Sequence, residues 1–181
     1  MVRSRSDVEL KRHYWWINAV ISQIGWFVCV LLGNVPGVAF TFLFVVLHFR
    51  FAPVHPRDWL AVCVALPMGV AHDNLLGYFG VLDYSAESAS GLAPVWLTCL
   101  WVIMALTLHH PLKALYERPW LIGVVGAVGG PMAYLGGVRL SGVEWGLPVT
   151  QGFLIMMAIW VWLLPLHRWL VLRGERLCGK V

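Results

Sequence analysis

Along the chain, apolar residues fall in long unbroken runs, without the ten-residue alternation of apolar and polar positions that marks a membrane barrel strand. Six runs occur, at about Trp16–Leu32, Pro36–Phe49, Trp59–Leu82, Pro94–His110, Pro119–Arg139 and Pro148–Leu170. A helical crossing needs about 20 apolar residues, so the pattern predicts an all-α polytopic membrane protein, a bundle of six transmembrane helices. Prolines open five of the runs (Pro36, Pro56, Pro94, Pro119 and Pro148), where a missing N–H has no intrahelical partner to lose. Gly33-Asn34, Asp83-Tyr84-Ser85 and Ser141-Gly142 supply turn residues between runs. The longest connection, Asp83 to Ala93, has room only for a surface loop. Three parts follow: a basic amino-terminal segment over 1–15, a six-helix domain over 16–171 and a basic tail over 172–181.

Composition supports this reading. The 181 residues are 60% hydrophobic and 12% charged, against roughly 45–50% and about 25% in soluble domains. Disordered, collagen-like and disulfide-rich classes are excluded on the same grounds. The net charge of +4 is distributed unevenly. Lys and Arg sit in the amino-terminal segment (Arg3, Arg5, Lys11, Arg12), the second-to-third connection (Arg50, Arg57), the fourth-to-fifth (Lys113, Arg118) and the tail (Arg168, Arg173, Arg176, Lys180), leaving Arg139 alone on the other side. Positive residues in short loops stay cytoplasmic, so both termini are expected inside, and the charge needs no nucleic acid partner. Trp15, Trp16, Trp59, Trp120 and Trp169 then fall at the inner interface and Trp96 and Trp145 at the outer one. A cleaved leader is not expected, because the first run lacks a small-x-small site and follows Asp7 and Glu9. The four cysteines show no CxxC spacing and read as small buried hydrophobes.

The fifth run holds Gly123, Gly126, Gly129, Gly130, Ala133, Gly136 and Gly137. Small residues four apart share a helix face and permit close backbone contact. The row is a packing seam or, alternatively, the lining of a ligand path, with Gly129-Gly130-Pro131 interrupting the helix in mid-membrane. Pro67 and Pro165 are candidate kinks.

Ionisable residues inside a membrane normally face a partner or a wet cavity. The clearest are His72-Asp73-Asn74 in the third run. Asp73 lies about 21 Å along the helix from Trp59, in the outer half. Its expected counterion is Arg139, with Tyr134 as a further donor and Glu144 as a rival for the guanidinium. One reading is a pair that fixes helix register. The other is a polar site open to the periplasmic side, with Asp73 as proton acceptor or head-group contact and Arg139 as anion contact. A second polar cluster is His48, His109 and His110 at the inner face. Metal is not expected there, because the spacing shows neither HxxxH nor HxxHH, and histidines at helix carboxyl ends suit the dipole. No cofactor is expected elsewhere. His13, His55 and His167 read as solvated, and Asn18 and Gln23 in the first run as interhelical hydrogen-bonding groups. Motifs for soluble chemistry (GxSxG, P-loop, GxGxxG, HExxH) do not occur.

Asn18 with Gln23-Ile24-Gly25-Trp26, His72-Asp73-Asn74-Leu75-Leu76, Leu108-His109-His110-Pro111-Leu112 and the stretch Gly130-Pro131-Met132-Ala133-Tyr134-Leu135-Gly136-Gly137-Val138-Arg139-Leu140 resemble the motifs of an uncharacterised family of small bacterial inner-membrane proteins, a domain of unknown function. His109 stands where that family's motif has Asn. The resemblance implies a multi-pass protein of the bacterial cytoplasmic membrane, associated by gene context with fatty-acid-modifying enzymes. Three functions are then in view. The first is binding or handling of a lipid or other amphipathic molecule through Asp73, Tyr134 and Arg139. The second is a small-molecule carrier subunit, and the third an intramembrane lipid-modifying enzyme. Expected partners are membrane lipids, with lipid-metabolism or transporter proteins behind them.

Overall fold

A computed structural model of the chain describes residues 5–52 and 57–179. The helices are α1 (Arg5–Leu32), α2 (Asn34–Phe51), α3 (Arg57–Tyr78), α4 (Val95–Ala105), α5 (Lys113–Tyr116), α6 (Pro119–Leu140) and α7 (Val149–Leu177). Two short strands, β1 (Leu82–Asp83) and β2 (Glu144–Trp145), pair antiparallel with Leu82 opposite Trp145. Tyr14–Leu32 within α1, together with α2, α3, α6 and α7, are long and apolar enough to cross a membrane. The chain is an all-α, multi-pass membrane protein. Its outward faces are apolar, as lipid requires: Phe42 is 71% and Trp162 73% exposed.

Two ends of the bundle are distinguishable. At one, the first turns of the Tyr14–Leu32 segment and of α3 meet the last turns of α2 and α7, tied by an Arg57 Nε to Glu175 Oε2 bond of 2.8 Å. At the other lies the strand pair. A tight link at Gly33 joins α1 to α2 with φ of 76°, a left-handed conformation open to glycine without a side-chain clash.

The sequence pattern predicts a fourth helix reaching His110, yet α4 stops at Ala105. Beyond it the backbone tightens into three-residue turns, with Thr107 N–H donating to Met104 O at 2.9 Å and His110 N–H to Thr107 O at 3.1 Å. Pro111 lacks an N–H and disfavours helix at the residue before it. Such backbone survives at membrane depth only where protein covers it. Here Leu106, Thr107, Leu108 and His109 are all buried, because α4 is the central element, packed against α1, α2 and α3. Asn18, fully buried on α1, donates its amide to the freed Leu106 carbonyl at 3.2 Å.

The glycines of α6 divide into two rows. A Cβ on Gly123 would lie 2.8 Å from Val161 O and one on Gly126 2.9 Å from Trp160 O, and one on Gly130 would run into the Trp160 indole. This row is the seam that lets α6 lie along α7. A Cβ on Gly129 or Gly137 would meet nothing within 4 Å, so the second row faces open space. The alternative of an interrupted helix is not realised, because α6 runs unbroken through Gly129-Gly130-Pro131. Trp96 also departs from expectation: it is 2% exposed, with its indole N–H on Glu87 Oε2 at 3.4 Å, while Trp15, Trp16, Trp59, Trp120 and Trp169 face outward.

The two rows predict opposite responses. Gly126→Ala pushes α7 backbone away and destabilises by about 1–3 kcal/mol, whereas Gly129→Ala changes stability by less than about 1 kcal/mol in either direction. Reversible unfolding of both variants in mixed micelles measures the difference.

Candidate functional site

Asp73 sits four turns into α3 and is 1% exposed. Its Oδ1 accepts from His72 Nδ1 at 2.9 Å and, through a short bond, from the Tyr134 hydroxyl on α6. Its Oδ2 accepts from Trp101 Nε1 on α4 at 3.0 Å. The backbone carbonyl of the same residue accepts from Tyr84 OH at 3.0 Å, closing the site from the strand end. Burial pushes the Tyr84 phenol up, reinforced by the Asp73 charge, so it remains a hydrogen-bearing donor. With the carboxylate accepting, His72 carries a hydrogen on Nδ1. Among the described residues neither His72 Nε2 nor Trp160 Nε1 has a hydrogen-bond partner, and the two rings meet edge to face with centroids 5.7 Å apart. Trp160 also stacks on Trp101 at 5.3 Å.

The expected Asp73–Arg139 pair does not form. Arg139 is exposed, and among the described residues the ion-pair contact of Asp73 is with His72, not with Arg139. The reason is helical geometry: Tyr134 and Arg139 are five residues apart, about 140° around α6. Turning Tyr134 onto Asp73 turns the guanidinium away. Asn74 does not join the site either, since its amide donates to Val70 O at 2.8 Å and its Oδ1 accepts from Ala93 N at 3.1 Å. It ties the long connection down to α3. The same five-residue offset separates Asn18, bonded inside the bundle, from Gln23, which is exposed.

A cavity of about 370 Å³ lies beside this site, walled by α1, α4, α6 and α7. Tyr134, Trp101 and Trp160 form part of its wall, and Gly129, Ala133 and Gly137 part of its floor. It follows α6 from Ile122 to Gly137, about 22 Å at helical rise. Helices α1 and α6 barely touch, so exposed Gln23, Gly129 and Ala133 rim an opening toward the surrounding lipid.

A second centre, at the other end of α3, gathers the expected cluster of His48, His109 and His110 around an acid that the sequence reading missed. Asp58 in the first turn is 0% exposed. Its Oδ2 lies 3.2 Å from His48 Nε2 and 3.2 Å from His110 Nε2, and its Oδ1 3.0 Å from His109 Nδ1. Tyr14 OH lies 2.9 Å from His48 Nδ1. The ligand-type atoms of His48, Asp58 and His110 all fall within 4.8 Å of one another. His109 and His110 arrive on the unwound chain after α4, and His48 on the last turn of α2. An acid in a helix first turn reads as an exposed dipole partner, which hid Asp58. Its sequence signal is depth, because it opens the third run at the level where His48 closes the second.

His167, expected in solvent, is 0% exposed. Its Nε2 donates to Ala61 O at 3.0 Å, so Nδ1 accepts from Tyr116 OH at 3.0 Å. Burial pushes the Tyr116 phenol up against the lowering charges of Arg168 and Arg57, so it too keeps its hydrogen. His55 lies outside the described residues, as does the side chain of His13.

Tyr134→Phe removes a donor from a buried carboxylate and destabilises by about 2 kcal/mol, whereas Arg139→Ala stays within about 0.5 kcal/mol. Steric-trap unfolding in bicelles separates the two outcomes.

No curated protein and no solved structure matches the chain. Residues 15–166 match the model of DUF2878, a protein family of unknown function, and the chain belongs to that family.

Proposed function

We propose that the protein binds a long-chain lipid or similar amphipathic molecule that enters from the bilayer between α1 and α6. The observation that carries this reading is the cavity of about 370 Å³. Ligand sites are typically hundreds of Å³, mainly apolar, with a few convergent polar groups. Here the floor is glycine and alanine, the walls are Trp, Leu and Val, and the polar groups are gathered around Asp73. An acyl chain fills a slot about 22 Å long, longer than one leaflet of about 15 Å. Trp160 Nε1, a donor without a partner among the described residues, suits a carboxyl or ester oxygen. Asp73 holds Trp101 and Tyr134 in place and, on this reading, is a positioning residue for the wall.

The setting of this activity belongs to the same proposal. The short α4, with the turns to Leu112, completes a sixth crossing. The Lys and Arg distribution puts both termini in the cytoplasm. With the family resemblance, the location is a bacterial cytoplasmic membrane, with the Asp73 site in its outer half.

The test is photocrosslinking with diazirine-bearing palmitate in nanodiscs, competed by oleate and mapped by mass spectrometry. Competable labels are expected on the segments 22–30 and 126–138. Gly129→Leu, which grows into open space, reduces labelling about tenfold by occupying the slot while the protein stays monodisperse. Labels confined to lipid-facing residues such as Phe42 and Trp162, or labelling unaffected by Gly129→Leu, overturn the proposal.

A further inference from the structure

We infer that His48, Asp58 and His110 form a binding site for a divalent first-row transition ion, of the zinc or ferrous type. The site lies at the end of the bundle where α2 ends and α3 begins, and stands on residues separate from the cavity proposed for lipid. Three features carry the inference.

The first is the donor set. Two imidazole nitrogens and one carboxylate oxygen is the ligand chemistry of zinc and non-haem iron rather than of magnesium or calcium, and the two groups other than His110 are fully buried. The second is spacing. Atoms held about 2.0–2.1 Å from one ion at the tetrahedral angle lie about 3.3 Å apart. Both imidazole nitrogens stand 3.2 Å from Asp58 Oδ2. These contacts lie at the long end of the range for N–H to oxygen hydrogen bonds and close to the edge length of a coordination tetrahedron. All three ligand atoms lie within 4.8 Å of one another, and the His110 ring is held there edge-on against Tyr14 and His48.

The third feature is the support behind the ligands. A metal-binding histidine usually has its second ring nitrogen fixed by another group. Tyr14 OH occupies that position at His48, 2.9 Å from Nδ1, which leaves Nε2 to face the carboxylate. His109 Nδ1 lies 3.0 Å from Asp58 Oδ1, and Oδ2 is the oxygen that faces both His48 and His110. Three protein ligands leave open positions on the ion, the arrangement of a reactive rather than a purely structural site.

The test is equilibrium dialysis of the tag-free protein in nanodiscs against Zn²⁺, read by inductively coupled plasma mass spectrometry, in a Cys178→Ser background that removes an exposed thiol. About one zinc per chain is expected, retained against a thousandfold excess of Mg²⁺ because imidazole disfavours that ion. Asp58→Asn and His110→Gln each lower affinity at least tenfold, and Tyr14→Phe, which keeps every ligand, lowers it about tenfold. Arg139→Ala, at an exposed position far from the three ligands, leaves it unchanged. Less than one zinc per ten chains in the otherwise unaltered protein overturns the inference whatever the variants do. So does displacement of zinc by Mg²⁺, or zinc binding that survives both Asp58→Asn and His110→Gln.

Discussion

The structure is organised by a single constraint on α3: it buries two carboxylates where lipid offers no hydrogen-bond donors. Asp58 and Asp73 are fifteen residues apart, about 22 Å along the helix, and both are essentially inaccessible. A buried charge persists only when paired and hydrogen-bonded, so each acid dictates what its neighbours present. Asp73 requires Trp101 from α4 and Tyr134 from α6. Asp58 requires His48 from α2 and two histidines from the chain after α4. Rotational registers that are unspecified by uniformly apolar faces become defined by these contacts.

The shortness of α4 follows from the same demand. A helix continued to His110 would carry His109 and His110 about 100° apart, whereas the turns after Ala105 bring both onto one carboxylate. Unwinding exposes carbonyls, and the Asn18 amide and the local turns satisfy them. The irregular segment is tolerated because α4 sits at the centre of the bundle. Each α6 glycine row has its own consequence in turn. One brings α7 backbone close enough to set Trp160 against Trp101, and the other leaves the space beside them open.

Much of this was legible in the sequence. Unbroken apolar runs mark the five long helices, because hydropathy over a span is a sum that single residues barely alter. What they miss are the polar extensions, Arg5–Trp15 at the start of α1 and Val171–Leu177 at the end of α7. Asp73 and Tyr134 stand out as polar groups inside such runs, and they meet. Arg139 was misassigned by an argument from charge alone, since a lone cation on one side of the membrane says nothing of the 140° that separates it from Tyr134. Asp58 escaped notice for the opposite reason. At a helix start, beside Arg57, an acid has an ordinary surface explanation, and only the chain path after Ala105 brings the histidines to it. Trp101 and Trp160 were indistinguishable from core aromatics until their indole nitrogens had positions.

The central claim is that Asp73 is held by donors on neighbouring helices rather than by a counterion, and a double-mutant cycle tests it most directly. Unfolding free energies of Asp73→Asn, Tyr134→Phe and the double variant in bicelles are expected to be non-additive, with a coupling of at least about 1 kcal/mol. The corresponding cycle with Arg139→Ala is expected to be additive. Additivity within about 0.5 kcal/mol for Asp73 with Tyr134, together with coupling to Arg139, would contradict the account.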